Sequence, residues 1–239
     1  VDYQLYPLGD QALLIEFGDK IHMDNYTCVQ QVSSLLDTLK PDWLIEYIPA
    51  YTTLTLIYDP LLLWKRSKAS PYRFLCQEIN QLLSEVSAQE MNEKRTVMIP
   101  VCYGGECGPD LAFVADYHGL TEEEVIHIHS SGDYLVYMLG FAPGFPYVGG
   151  MSGEIATPRK RSPRVKIPVG SVGIAGGQTG IYPIETPGGW QLIGRTPLQL
   201  FNVKINPPTL LQAGDKVCFQ PISSEEYLNL GGVEHAHHS

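Results

Sequence analysis

Basic residues are scarce in this chain: 16 lysines and arginines stand against 26 aspartates and glutamates, a formal charge of −10. The summed field therefore repels a nucleic-acid backbone or an anionic membrane surface, and an anionic ligand has to be caught by a local basic cluster. Long apolar runs are missing as well. The stretch Leu54–Tyr58, with Leu61–Trp64 beyond it, falls far short of the roughly 20 residues a membrane-spanning helix needs. Cysteine is sparse, odd in number and scattered, at positions 28, 76, 102, 107 and 218, which argues against a disulfide framework and fits a reducing compartment. The opening residues Val1 to Leu5 carry neither a basic n-region nor a long apolar h-region, and no initiator Met. We expect a few preceding residues and a cytoplasmic location.

What is present is the composition of an ordinary globular protein, with 239 residues, 44% of them hydrophobic and 10% aromatic. A chain of this mass buries roughly 70% of its unfolded surface, enough for one large core or two modest ones. Leu5–Leu8 and Ala12–Phe17 read as strands around the turn dipeptide Gly9-Asp10. From Met23 to Leu39 apolar residues recur every three or four positions until Pro41, which predicts a helix. Trp43–Ile48 and Thr52–Tyr58 read as a strand pair. Ser70 and Pro71 then open a helix with Phe74, Leu75, Ile79, Leu82, Leu83 and Val86 as its buried stripe.

Polar residues from Ser84 to Arg95 place a domain boundary near 88–95. Beyond it, Thr96–Val101 reads as a strand, and Asp110 is expected to cap a short helix ending at His118-Gly119. Thr121 and Glu124 form a capping-box pattern, and Tyr134–Leu139 is again a strand. Between Gly140 and Pro197 lie 13 of the 23 glycines and 8 of the 18 prolines, a density that excludes long helices and predicts short strands joined by tight turns, most simply a barrel. The fold class is therefore α+β: an α+β domain over residues 1–90, a mostly-β domain over 96–230, and a flexible tail over 231–239.

Candidate chemistry is sparse. The glycines of Gly170–Gly180 do not make a phosphate loop, because Gln178-Thr179-Gly180 runs into Ile181-Tyr182-Pro183 rather than Gly-Lys-Ser/Thr and a helix; they read instead as turns requiring positive φ. No Gly-x-Ser-x-Gly elbow occurs. Cys102 and Cys107 lack convergent partners in sequence, His127 and His129 point to different faces of a helix, and His235, His237 and His238 sit in a polar tail, so no metal site is expected. The localised charge feature is Pro158–Lys166, where five of the sixteen basic residues fall within nine positions. It reads either as a solvated loop or as a clamp for carboxylate or phosphate, which Arg195 is placed to join. Upstream, Gly140–Gly150 presents Phe141, Phe145 and Tyr147 on a Gly- and Pro-punctuated backbone, suited to a core or to a groove wall.

Four blocks, Pro100–Glu106, Leu139–Pro146, Gly170–Thr179 and Thr186–Arg195, closely resemble the family formed by the B subunit of 5-oxoprolinase. That family includes the Bacillus sporulation kinase inhibitor KipI and is also called allophanate hydrolase subunit 1, or the C and D subdomains of a carboxyltransferase domain. Tyr3–Asp10 and Ile48–Thr55 resemble family segments too. The resemblance implies a small α+β domain followed by a cyclophilin-like barrel, acting with A and C subunits (KipA-like) in ATP-dependent opening of 5-oxoproline to glutamate. ATP would be used by the complex rather than bound by this chain alone. The alternative it implies is a KipI-type inhibitor of a sensor histidine kinase. We expect Arg159, Arg164 and Arg195 to hold an anion, Gln178 and Tyr182 to hydrogen-bond in the same groove, and Phe141, Phe145 and Trp190 to form its wall. Arg195 paired with a carboxylate such as Glu185 is the competing expectation.

Overall fold

In a computed structural model that describes residues 2–19, 23–68, 70–85 and 95–233, the chain divides into two compact units, Val1–Glu93 and Lys94–Ser239. The expected boundary at 88–95 lies almost wholly outside the described residues, as do Val86 and the histidines of the tail.

The first unit contains β1 (Gln4–Leu8), β2 (Ala12–Glu16), α1 (Met23–Leu39), β3 (Leu44–Pro49), β4 (Thr53–Tyr58), α2 (Pro60–Ser67) and α3 (Pro71–Glu85). Its sheet runs β1-β2-β4-β3 with every neighbour antiparallel. Alternation along β2 and β4 turns Leu13, Ile15, Leu54, Leu56 and Tyr58 into a core shared with Val29, Val32 and Leu36 of α1 and Leu75, Ile79 and Leu83 of α3. Helix α2 is an element that the apolar pattern does not announce. Its signals are local: the Asp59 side chain accepts from the N–H groups of Leu61 and Leu62, Pro60 occupies the first turn, and Lys68 closes it in the left-handed region.

The second unit contains β5 (Thr96–Tyr103), α4 (Leu111–His118), α5 (Glu122–Ser130), β6 (Tyr134–Leu139), β7 (Pro146–Gly149), β8 (Arg164–Ile167), β9 (Ser171–Ala175), β10 (Gln178–Ile181), β11 (Thr186–Gly188), β12 (Gln191–Arg195), β13 (Lys216–Ile222) and α6 (Ser224–Asn229). Seven strands close a barrel in the order β10-β7-β6-β13-β5-β12-β9, while β8 and β11 make a separate ribbon. The mostly-β barrel expected from the glycine and proline density is thus the architecture observed. Barrel pairings are antiparallel except one: β13 lies parallel to β5 through seven residue pairs, from Lys216–Thr96 to Ile222–Cys102. The core draws Ile99, Val101, Val136, Val172, Ile174, Ile193, Val217 and Phe219 from the strands, and Leu111, Val114 and Val125 from α4 and α5.

Two local expectations need correction. Asp110 stands at the N-cap of α4, but its side chain makes no capping bond; its carboxylate goes to two cations and a strand N–H instead, as described below. The glycines of Gly170–Gly180 also divide by role. Gly170 and Gly176 do take positive φ, of 81° and 56°, whereas Gly180 and Gly173 are needed for close packing. A Cβ at Gly180 would lie 2.9 Å from the Phe145 ring, and one at Gly173 would lie 3.1 Å from Trp190 Cβ.

Candidate functional site

Beside β5 and β12 lies a cleft of about 860 Å³, lined by Cys102, Tyr103, Gly104, Gly105, Glu106 and Cys107, by Arg164, Lys166 and Arg195, and by Ser224, Tyr227 and Leu228 of α6 among others. Strand pairing builds it: Arg195 of β12 sits opposite Cys102 of β5. The loop after β5 is held against the barrel by a Gly104 N–H to Ile193 O bond of 3.1 Å. Gly104 and Gly105 both adopt positive φ, 69° and 50°, a pair of conformations L-residues resist, so bare backbone lines the cleft there.

Three cations reach this cleft in different states. Arg164 donates from Nη2 to Asp110 Oδ1 at 2.8 Å, sharing that oxygen with Lys160 Nζ at 2.9 Å, while Asp110 Oδ2 accepts from Leu192 N–H at 2.8 Å. Burial pushes the Asp110 carboxyl up, but the Arg164, Leu192 and Lys160 bonds outweigh it and hold it below its ordinary range. Lys166 pairs with Glu185 at 3.1 Å, both largely exposed. Arg195 is 6% exposed and has no carboxylate partner among the described residues. Its Nε is buried without a hydrogen bond, and so is Nη1 of Arg164. Glu185, offered as a possible partner of Arg195, is paired with Lys166.

The remaining predicted residues gather elsewhere. Phe145, Tyr182 and Trp190 are buried together in a small aromatic cluster, with the Phe145 and Trp190 rings edge to face at 5.5 Å. Arg159 places its guanidinium 5.9 Å from the Trp190 ring centre, and Phe141, exposed and at a φ of 65°, packs against Phe145 at 5.5 Å. Burial pushes the Tyr182 phenol up to about 12, against the pull of a backbone bond from Trp190 and of the Arg159 and Arg164 charges. Gln178 lies on β10 opposite Ala175. Arg164 and Arg195 thus share a cleft, while Arg159, Tyr182, Phe141, Phe145 and Trp190 form a neighbouring aromatic layer.

Sequence reasoning did not find Tyr103, Ser224, Tyr227 or Leu228. The Ser223–Glu226 capping box that starts α6 is legible as Ser-x-x-Glu, but nothing in that pattern says what the helix covers. Cys102 and Cys107, notable in sequence for their spacing, do meet here. Burial and a bond to Cys102 push the Cys107 thiol up to about 12, although Arg195 pulls it down. Among the described residues no group of three or more His, Cys, Asp or Glu is placed to hold a metal.

Behind Tyr103 runs a chain of bonds of fixed direction. Thr179 Oγ1 donates to Gly173 O at 3.0 Å and therefore accepts from His129 Nε2–H at 2.9 Å, which leaves His129 Nδ1 to accept the Tyr103 hydroxyl at 2.8 Å. Burial pushes the His129 imidazole down to about 3, so the ring stays neutral and the chain keeps its polarity.

The chain is thus an α+β protein whose closed barrel carries a two-stranded ribbon and an arginine-lined cleft, with a small α+β unit ahead of the barrel in sequence. Residues 3–211 match the carboxyltransferase domain, subdomain C and D, and the chain belongs to that family. It is 51% identical over 230 residues to the B subunit of 5-oxoprolinase from Bacillus subtilis, covering 95% of this chain and 96% of the relative. It is 40% identical over 216 residues to the Escherichia coli O157:H7 protein of the same name, covering 90% and 94%. The crystal structure of TTHA0988 superposes with a TM-score of 0.77 at 33% identity over 90% of this chain; the chain spans 40% of the length of that longer one. No described helix is long and apolar enough to cross a membrane.

Proposed function

We propose that this chain is the B subunit of an ATP-dependent 5-oxoprolinase, opening 5-oxoproline to glutamate together with partner A and C subunits. The observation that carries the reading is the identity, over nearly the full length of both chains, to proteins named as the B subunit of 5-oxoprolinase. Opening a lactam requires its amide carbonyl to be activated, commonly by phosphorylation, and the charge that develops on oxygen to be held. Arg195, buried and without a carboxylate partner among the described residues, is suited to hold the anionic group of the substrate while that chemistry takes place, with Arg164 beside it in the cleft. Phe145, Tyr182 and Trp190 pack as a buried aromatic cluster next to it, with Arg159 over the Trp190 ring and the exposed Phe141 against Phe145, and Gln178 is the polar residue of β10 nearest the hairpin turn.

ATP does not fit this chain's own glycine-rich segment. Gly170–Gly180 spans the β9–β10 hairpin and offers no helix N-terminus or lysine for phosphates, which supports the reading that a partner contributes to nucleotide binding. The test is ATP hydrolysis dependent on 5-oxoproline, measured for this chain alone and with co-expressed A and C subunits. Turnover is expected only in the complete set. Its absence there, combined with inhibition of histidine-kinase autophosphorylation by the isolated chain, would transfer the chain to the regulatory role.

A further inference from the structure

We infer that the Arg195 cleft is a site for a singly charged carboxylate, too weakly positive to favour phosphate or nucleotide. The inference rests on the reading above only in taking 5-oxoproline as the carboxylate to try first. Its physical basis is the state of two guanidinium groups. Arg195 is more than nine-tenths buried, lines the cleft, and leaves Nε unbonded; Arg164 lines the same cleft and leaves Nη1 unbonded. A buried guanidinium with unspent N–H groups is costly unless a partner supplies oxygen. A planar carboxylate, with two oxygens, matches that geometry.

Charge decides between anions. Of the cations that line the cleft, Arg164 shares Asp110 with Lys160 and Lys166 pairs with Glu185, which leaves Arg195 as the one whose charge no described carboxylate pairs. One carboxylate cancels it. A phosphoryl group, at about −1.5 to −2 near neutral pH, leaves negative charge uncompensated beside the buried apolar side chain of Leu192.

The test uses the full chain and two lactams that differ by the carboxylate alone, 5-oxoproline and 2-pyrrolidinone, with inorganic phosphate as competitor, read by calorimetry and thermal melting. Binding of 5-oxoproline is expected, at least about tenfold tighter than 2-pyrrolidinone, undisturbed by equimolar phosphate, and weakened by about tenfold or more in Arg195→Gln and in Arg195→Lys, which keeps the charge but loses the planar fork. Ligand-free Arg195→Gln should melt no lower than the parent, because it removes a buried charge that no described carboxylate pairs. Equal binding of both lactams, displacement by phosphate, undiminished affinity in Arg195→Gln, or a lowered ligand-free melting temperature in both variants overturns the inference. Reconstitution with the partner chains separates the two readings. Turnover insensitive to Arg195→Gln sinks the inference and leaves the enzyme reading. Arg195-dependent carboxylate binding without lactam-dependent ATP hydrolysis sinks the enzyme reading and leaves the inference.

Discussion

His129 and Asp110 each do a job that their sequence neighbourhood does not advertise. With its folded-state pKa near 3 against about 6.5 unfolded, His129 is neutral in the fold, and the unfolded chain binds the extra proton between those values. Its contribution is complete above about pH 6.5 and is lost as pH falls towards 3, with a slope of about 1.4 kcal/mol per pH unit. Urea unfolding at pH 7, 6, 5 and 4 should show this slope in the parent and a shallower one, by about that amount, in His129→Gln. Equal slopes would mean that His129 is protonated within the fold. Asp110 has the opposite partners but the same sign of pH effect: its depressed pKa means that its stabilisation is full above the ordinary carboxylate range and fades below it. Asp110→Asn should cost about 3 kcal/mol at pH 7, because it leaves Arg164 and Lys160 beside a neutral group, and the gap should narrow only below about pH 4. The sequence showed Asp110 as a helix cap because Asp before an apolar helix is the usual signature. Its real partners, 50 and 54 positions along the chain, could not be seen in a local pattern. Arg195 was visible as a residue; that no described carboxylate pairs with it is a property of the packing alone.

Element by element, the sequence spoke most clearly where a local signal is self-contained. The bounds of α1 and β6 follow from periodicity and from Pro41 or the Gly140 break, and the capping box of α5 is present as read, with Glu124 N–H bonded to Thr121 Oγ1 at 3.2 Å. Thr121→Ala should lower stability by about 1 kcal/mol, measured by chemical denaturation, and should loosen the helix that carries His129. Helix α2 is hidden because Leu61–Trp64 looks like the continuation of an apolar run, although Asp59-Pro60 already marks a helix start. The loop between β5 and α4 is equally opaque from sequence. A Cβ at Gly108 would sit 2.0 Å from the carbonyl oxygen of Ile193, so Gly108→Ala has to push the loop off β12. We expect a loss of about 2 to 3 kcal/mol, together with weakened ligand binding in the cleft that this loop lines.

At the scale of the whole molecule, the two units have separate cores, one built on the β1-β2-β4-β3 sheet and one on the barrel. We therefore propose that residues 95–233 fold without the first 93. A fragment with dispersed amide resonances and a cooperative melt would bear this out, and one that is only aggregated or unfolded would refute it. The barrel has a further consequence through β13. This strand forms the parallel seam with β5, yet more than a hundred residues separate the two, from Thr96 to Lys216. During synthesis β5 therefore leaves the ribosome well before its neighbour exists, and the nascent barrel has to wait with an open edge until the final strand emerges. Strand edges of this kind are where newly made chains stick to one another, so slowing translation just upstream of Lys216 should raise the share of protein lost to inclusion bodies, while slowing it before Thr96 should not.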